Sequence, residues 1–338
     1  RKRHNLNIQQ KAHVTRVIFR GKRAIGVEYI QKGQTKTVHA RAEIILSGGA
    51  INSPQLLQLS GIGPGKLLQS HNINIVHVSH HVGKNLQDHL GSDIYYRANV
   101  PTLNQELNPM FGKLRAGLKY ILTRKGPLSL SLNQGGGFIQ IDPNASGPDL
   151  QLYFSPVSYT RAPAGVRPLM NPDPFPGFLM GFNPCKPTSV GNIQISSTDP
   201  MLPPKIYSNY LDTDYDKKMM IEGIRLIRRI ANAPALNSII KDELAPGVGI
   251  KSETDIAKYI RQKAWSVFHP CSTCRMGSNP NVSVVDPKLR VHGVDNLRVV
   301  DASIFPTIPT GNINAPSIMV GEYASDIILK DARNQKGL

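Results

Sequence analysis

The sequence predicts an α/β domain that is interrupted by a second, α+β domain built on an antiparallel sheet. Strand, glycine-rich turn and helix follow one another before residue 61, and a similar texture returns over residues 295–328. Between about residues 89 and 260, the chain instead has short strand-like runs separated by proline-rich loops. With 338 residues, 40% of them hydrophobic, the chain can fill the cores of two such domains.

The first α/β region begins with two β-rich runs, AHVTRVIF and AIGVEYI, joined by the turn-like RGKR. A third run, TVHARAEIIL, leads into SGGAINSPQLLQLSG. There we expect Ser53 to cap a helix, Pro54 to occupy its first position and Gly61 to end it. A strand, a glycine-rich turn and a helix in this order present backbone amides to a ligand at the edge of an α/β sheet.

The middle region contains the strand-like runs GGGFIQI, DLQLYF and GNIQISS. One long helix is predicted over DYDKKMMIEGIRLIRRIANA, where four apolar side chains fall at helical spacing and should form a buried face: Met220, Ile224, Ile227 and Ala231. A second helix, TDIAKYIRQKA, is expected to start at a Thr254 cap. The region therefore predicts an antiparallel sheet with helices packed on it.

The last region starts with the buried-looking strand DNLRVV, and Asp301 stands at its carboxyl end. A carboxylate in that position commonly holds ribose or ribitol hydroxyls in open α/β sheets, but it can equally begin a solvated loop. The turn IFPTIPTGNINAP then leads into a helix, SIMVGEYASDIIL.

Composition and charge narrow the class of protein. No apolar run approaches the roughly 18–20 residues that a membrane-spanning helix needs. The formal net charge of +17 invites a nucleic-acid interpretation, yet the basic residues are scattered and no aromatic-flanked basic stripe accompanies them. The glycosylation sequons at Asn144 and Asn281 favour a secreted or extracellular protein without establishing its location.

The stretch FHPCSTCRMG at residues 268–277 allows several chemistries. Cys271 and Cys274 supply two thiols, whereas a structural zinc site needs four ligands and Cys185 is distant in sequence. A redox dithiol would be expected at a strand-to-helix turn, and here the pair follows a helix. We therefore expect no metal and two structural thiols, with a local disulfide left open. His269 is the alternative centre of interest, either as a core residue or as an acid–base group.

Five segments together resemble the glucose–methanol–choline (GMC) flavoprotein oxidoreductases. They are GAINSPQLLQLSGIG (49–63), GKNLQDH (83–89), HPCSTCRMG (269–277) and the C-terminal pair VVDPKLRVHGVDNLRVVDASIFPT and GNINAPSIMVGE. The resemblance runs from about residue 12 to residue 330, but the family's opening G-x-G-x-x-G segment is absent, so the chain looks like the C-terminal portion of a member. It implies an incomplete Rossmann-like FAD-binding domain at 1–88 and 261–338, with the substrate domain, 89–260, inserted between them.

The resemblance also implies a function, in which an alcohol or sugar is oxidised at its CH–OH group, with FAD as cofactor and oxygen or a quinone-like molecule as electron acceptor. It makes His269 the base that takes the hydroxyl proton and Asn312 the donor to the developing alkoxide. The expected FAD contacts are Val14, Asp301, Ala302, Ile313 and Asn314.

Two alternatives to this function stay open. One is a cyanohydrin-cleaving lyase of the same family, and the other is a non-catalytic fragment or polyanion-binding protein. If the G-x-G-x-x-G segment is missing from the protein, we expect the chain to be inactive on its own.

Overall fold

The structure, a computed structural model, describes residues 3–159 and 171–335, which divide into two compact units. The first unit comprises the segment that ends at Asp88, residues Ser189–Tyr210 and the segment that begins at Phe268. The second unit comprises His89–Thr188 and Leu211–Val267. No helix in the described ranges has the length and apolarity that a bilayer crossing requires.

Within the described ranges the strands are β1 (Ala12–Arg20), β2 (Arg23–Gln31), β3 (Gln34–His39), β4 (Ile44–Leu46), β5 (Ile62–Gly63), β6 (His77–Val78), β7 (Lys84–Leu86), β8 (Leu90–Ala98), β9 (Gly135–Ile139), β10 (Leu150–Ser155), β11 (Gly177–Pro184), β12 (Gly191–Gln194), β13 (Lys205–Tyr207), β14 (Ile240–Ala245), β15 (Trp265–Ser266) and β16 (Leu297–Val299). The helices are α1 (Gly49–Leu59), α2 (Gly65–Ser70), α3 (Leu103–Leu107), α4 (Met110–Thr123), α5 (Asp214–Ala231), α6 (Pro234–Asn237), α7 (Glu253–Lys263) and α8 (Asn314–Gln335), with 3-10 turns at Pro127–Ser129 and Ala302–Ile304.

The first unit combines an antiparallel sheet, β1-β2-β3, with a parallel pair formed by β4 and β16. The predicted third run, TVHARAEIIL, is thus not one strand, because β3 continues the antiparallel sheet and β4 belongs to the parallel pair. The change of partner follows the residue pattern. The side chains of TVH are largely exposed, whereas Ile44 and Leu46 are buried in the same core as Leu297 and Val299.

Helix α1 begins at Gly49, four residues before the predicted Ser53 cap, and Pro54 lies inside it. Proline has no N–H to donate to the carbonyl four residues back, which is that of Ala50. The Thr273 hydroxyl donates to this Ala50 oxygen at 2.6 Å and so supplies the missing bond from outside the helix. The prediction for Gly61 is confirmed: it follows the helix at φ +85°, where an added Cβ would overlap the Asn74 carbonyl oxygen.

The second unit is built on a six-stranded antiparallel sheet, in which β14-β8-β11-β10-β9 are neighbours and β15 pairs with β8. The predicted face of α5 is confirmed, because all four of its apolar residues are buried. Its Gly223 lets the helix approach the ring of Phe182 on β11, where a Cβ would collide with the ring. The predicted Thr254 cap is wrong: α7 starts two residues earlier, and the Ser252 hydroxyl accepts the Asp255 N–H at 3.1 Å.

The observed second unit differs from the predicted domain at 89–260 because residues 189–210 belong to the first unit. Strand β12 pairs with β7 and β13, all in the first unit. The fully buried Gln58 side chain on α1 accepts the Ile195 N–H at 2.8 Å and donates to the Ile193 carbonyl at 3.1 Å. The second unit also extends to Val267, past the predicted end at 260. Run GNIQISS is therefore a strand, as predicted, but it lies in the other unit.

Candidate active site

His269 lies in the first unit, directly after a backbone turn at Phe268, which has a φ of +61° and is 80% exposed. The His269 backbone N–H donates to Asp88 Oδ1 at 2.8 Å, and its side chain is buried, with the residue 8% exposed. A positive φ is uncommon for a non-glycine residue and requires support from its surroundings. The Asp88 contact provides that support one residue later, and it fixes the point from which the imidazole projects.

Asp88 is a functional candidate that the sequence analysis missed as a site residue, although its motif, GKNLQDH, was recognised. The Tyr210 hydroxyl donates to the second carboxylate oxygen, Oδ2. Both oxygens of Asp88 are thereby engaged within the first unit, one with the main chain of His269 and one with Tyr210. The signal that could have identified Asp88 is its position in GKNLQDH, one of the segments that resemble the GMC family.

The electrostatic environment of His269 favours the neutral imidazole. Burial lowers the pKa of His269 below its ordinary 6.5, and the Asp88 carboxylate opposes this shift with a smaller effect. A neutral imidazole near neutral pH has an unprotonated ring nitrogen that can accept a proton. The site therefore has a residue in the correct ionisation state for general-base chemistry.

The rest of the stretch is bonded on three sides. Cys271 exchanges backbone hydrogen bonds with Gln87, at 2.9 and 3.2 Å. On another side, Ser272, Cys274 and Met276 donate N–H groups to the carbonyls of three successive residues, Ala302–Ile304, at 2.8–3.2 Å. Thr273 reaches α1 through its hydroxyl on the third side. Residues 271–276 thus tie helix α1, the Gln87 segment and the turn after β16 into one assembly.

The two cysteines of this stretch are free thiols that are completely buried, so the local disulfide left open by the sequence does not form. Burial raises the pKa of Cys271 to about 12 and raises that of Cys274 as well. A thiol in this state is a poor nucleophile and a poor metal ligand. Among the residues that the structure describes, no group of three or more His, Cys, Asp or Glu side chains could hold a metal ion.

Asp301 stands two residues after β16, as predicted, and its carboxylate has three protein donors. Oδ2 accepts from the Gly49 N–H at 2.9 Å and from the Ser53 hydroxyl at 2.5 Å, while Oδ1 accepts from the Ser303 N–H at 2.7 Å. The carboxylate therefore joins the turn before α1 to the 3-10 turn after β16. Ser53, predicted as a helix cap, instead links Asp301 to the Gly48 N–H, which donates to it at 3.0 Å.

Val14 projects from β1 with 37% of its surface exposed and lines a cavity of about 570 Å³. The other walls come from β2, β3 and β4, from the turn Ser47–Gly48, and from Asn52 on α1. The α1 residues that line the cavity extend from Asn52 to Leu59, the last residue of the helix. Its walls thus combine one predicted cofactor contact, Val14, with part of the glycine-rich turn.

The remaining predicted residues lie along the path from the 3-10 turn to α8. Ala302 is the first residue of the 3-10 turn and is buried. Ile313 is half-buried against the core, and Asn314 is the first residue of α8. Asn312 is exposed in the preceding loop. This loop is anchored where the Ile308 N–H donates to Gln87 Oε1 at 3.0 Å. Two adjacent residues therefore hold the two segments: Gln87 holds the one that carries Asn312, and Asp88 holds the one that carries His269.

Two further histidines, one in each unit, make structural contacts. His89 in the second unit is completely buried with Nε2 at 3.0 Å from the Cys185 carbonyl oxygen. In the first unit, His292 Nε2 lies 3.0 Å from the Ser283 hydroxyl and 3.1 Å from the Gly277 carbonyl oxygen. Each of these contacts gives the histidine a structural role in its unit.

Comparison with known proteins gives consistent matches. Residues 1–91 and 187–321, together about two thirds of the chain, match the N-terminal and C-terminal family models described as GMC oxidoreductase. An alcohol dehydrogenase (acceptor) of Pseudomonas putida is 42% identical over 97% of this chain, and a human mitochondrial choline dehydrogenase is 41% identical over 96%. The chain spans 59% and 54% of the lengths of these two relatives.

A solved structure has a similar fold. A formate oxidase variant from Aspergillus oryzae, solved in a study of FAD modification, superposes with a TM-score of 0.88 at 27% sequence identity. The match covers 96% of this chain and 60% of that one. The α/β character predicted from the sequence is thus supported by both the sequence and the structure comparisons.

Proposed function

Because the chain belongs to the GMC oxidoreductase family, we propose that its protein is an FAD-dependent oxidoreductase that oxidises the CH–OH group of an alcohol or sugar. The observation that carries the proposal is His269, a buried histidine whose main chain is fixed by Asp88 and whose pKa is lowered by burial. Oxidation of an alcohol removes a hydroxyl proton and a hydride from the adjacent carbon. The protein must provide the base for the proton.

In this proposal the neutral imidazole of His269 accepts the hydroxyl proton. Asn312 donates a hydrogen bond to the oxygen as negative charge develops there, and its amide does so without titrating. The tether from Asp88 to the His269 main chain restricts the imidazole to rotation about its side-chain bonds. Such restriction contributes to the rate because the base is already positioned when the substrate arrives.

The first unit contains residues that fit the flavin. FAD, when bound, accepts the hydride. The first residues of α8 present N–H groups to an anion, and Val14 offers an apolar surface on the adenine side. Since the Asp301 carboxylate already accepts three protein donors, its proposed role is to hold the Gly49 turn in place. Ala302, Ile313 and Asn314 would contact the pyrophosphate, ribitol and ring end.

The six-stranded unit is proposed to provide the substrate domain, and oxygen or a quinone-like molecule is proposed to take the electrons. The relatives differ in this respect, since the names printed for them include an acceptor-dependent alcohol dehydrogenase and oxygen-dependent choline dehydrogenases. We propose an alcohol or sugar as substrate, without choosing between the two.

The test uses the full-length protein under anaerobic conditions with a panel of primary alcohols, amino alcohols and sugars. We expect at least one of them to bleach the flavin absorbance, and readmission of oxygen or addition of a quinone to restore it. Protein that holds flavin but releases aldehyde and cyanide from a cyanohydrin, without bleaching with any alcohol, would be a lyase. Protein that holds no flavin and is retained on heparin only at low salt would be a polyanion-binding protein.

A further inference from the structure

Helix α4 in the second unit has its small side chains toward the protein. Ala116 is buried, and Gly112 packs so closely on α3 that a Cβ there would overlap the Glu106 carbonyl oxygen. The end of α3 is tied to the body of the unit, because Asn108 Nδ2 donates to the Pro172 carbonyl at 2.6 Å. This packing fixes which side of α4 faces outward.

The outward side carries bulky apolar residues, which we call the apolar face of α4. Its members recur at helical spacing and are each 56–79% exposed: Met110, Phe111, Leu114, Leu118, Ile121 and Leu122. Leu128 and Leu130, just beyond the helix, are exposed to a similar degree. Helices on the surface of a globular protein normally turn their apolar stripe toward the core, and contiguous exposed apolar patches mark interaction sites. Helix α4 reverses the arrangement found in α5 of the same unit.

The charged residues of the segment that carries this face all have one sign. Residues 107–141 contain no Asp or Glu, but they contain five basic residues, Lys113, Arg115, Lys119, Arg124 and Lys125. Arg115 and Lys119 are exposed one turn apart, next to the apolar face. Long basic side chains in this position can lay their carbon stems on an apolar layer while their charged ends reach phosphate groups. The net charge of the whole chain, +17, adds to the attraction between this surface and phosphate groups.

We propose that α4 docks the protein on the surface of a membrane that contains anionic lipids. The apolar face enters the boundary between headgroups and acyl chains, and Arg115 and Lys119 contact the lipid phosphates. An acidic protein would match the charges but would need a groove shaped for six large side chains. A lipid interface accommodates them in any arrangement, and the helix lies in its plane, so no spanning helix is required. The proposal does not depend on the oxidation reaction.

The first experiment measures co-sedimentation of the full-length protein with vesicles of phosphatidylcholine, with and without phosphatidylglycerol. We expect binding to the anionic vesicles that weakens as salt is added. Arg115→Glu with Lys119→Glu should weaken this binding by about thirtyfold or more. The matched control is Lys258→Glu with Arg261→Glu, the same change of charge on the exposed side of α7, and it should retain binding within about threefold.

The second experiment separates the apolar contribution from the charge. Leu118→Ser with Ile121→Ser should weaken vesicle binding by at least about tenfold while the melting temperature stays unchanged, because both side chains are already exposed. Hydrogen exchange over residues 110–123 should slow when anionic vesicles are added. The proposal is overturned if the full-length protein ignores anionic vesicles, if the α7 control weakens binding as much as the α4 variant, or if this helix is already protected without lipid. That last result would assign its cover to another part of the polypeptide or to a second copy.

Discussion

The two proposed catalytic side chains belong to segments that the fold holds in different ways. His269 lies two residues before the segment 271–276, and Asn312 lies within the segment 308–314. The first is bonded through its backbone to Gln87 and to Ala302–Ile304, and through Thr273 to α1. The second is anchored at its start, where Ile308 donates to Gln87, and ends in the first turn of α8. His269 is buried just before the more extensively bonded segment, whereas Asn312 is exposed within the other segment.

The difference indicates where precision is required. A general base must lie within hydrogen-bond reach of the proton it abstracts, so its main chain benefits from several independent tethers. A hydrogen-bond donor that assists the same oxygen tolerates more freedom, because a loop next to the substrate can adjust to it. Unequal losses of activity on mutation would support this interpretation, and equal losses would contradict it.

The largest effect is expected for His269→Ala in the full-length protein. Removing the base should lower kcat/KM for the alcohol by at least about a hundredfold. Flavin content should stay near normal, since the proposed flavin contacts lie on other segments. The measurement is turnover with an artificial acceptor, together with the flavin absorbance of the purified variant.

Two controls accompany the His269 variant. Replacement of an exposed histidine, His80→Ala, should leave turnover unchanged. Added imidazole should restore part of the activity of His269→Ala if the missing group is a base. Wild-type turnover in His269→Ala would remove the catalytic assignment, and a variant that fails to fold would support a core role for this histidine instead.

Asn312→Ala is expected to lower kcat/KM by about tenfold, less than the full loss of an oxyanion-hole donor because Asn312 lies on an exposed loop. The pH dependence should be unchanged, because an amide does not titrate. The measurement is kcat/KM for wild type and variant across the acid range. A loss as large as that of His269→Ala would show that the two segments need equal precision.

The sequence predicted the elements of the site better than it predicted their connections. The strand before Asp301, the hairpin β1–β2 and the buried face of α5 follow from local periodicity, which a single segment records. The partner of Pro54 could not be predicted in this way, because Thr273 lies more than two hundred residues away. The same is true of Gln58, whose bonds to Ile193 and Ile195 place residues 189–210 in the first unit. Such long-range side-chain contacts leave no periodic signal.

Helix α4 shows a second limit of the sequence. Its apolar residues have the spacing of a core-facing stripe, but in the structure Gly112 packs against α3, Ala116 is buried and the stripe faces outward. Periodicity identifies an amphipathic helix but not the medium that its apolar side contacts.

A smaller change is expected for Asp88→Asn, which keeps an oxygen for the His269 N–H but removes the charge. The carboxylate raises the pKa of His269 against the dominant lowering by burial, so its removal should lower that pKa further. Because only the neutral imidazole accepts a proton, activity is lost as the pH falls through this pKa. The acid limb of the kcat/KM profile should therefore lie below pH 6.5 in the wild type and move to lower pH in the variant.

The pH experiment has a matched control in Asp326→Asn, an exposed carboxylate on α8, which should leave the acid limb in place. Movement of the limb to higher pH in Asp88→Asn would mean that Asp88 does not favour the protonated imidazole. An unmoved limb would assign Asp88 to positioning the main chain alone.

The smallest effect is expected for the two cysteines that share the stretch with His269. Cys271 and Cys274 are buried and protonated, and their backbone groups make the hydrogen bonds that hold the segment. Serine keeps those backbone bonds, so Cys271→Ser and Cys274→Ser, singly or together, should change kcat/KM by less than about fivefold. A hydroxyl buried in place of a thiol should cost about 1–3 kcal/mol of unfolding free energy where it finds no partner, measured by urea denaturation. Elemental analysis of wild type and variants should find no stoichiometric zinc. Loss of activity comparable to that of His269→Ala, in variants that keep their flavin and their fold, would give the thiols a chemical role and end the distinction drawn between the histidine and its neighbours.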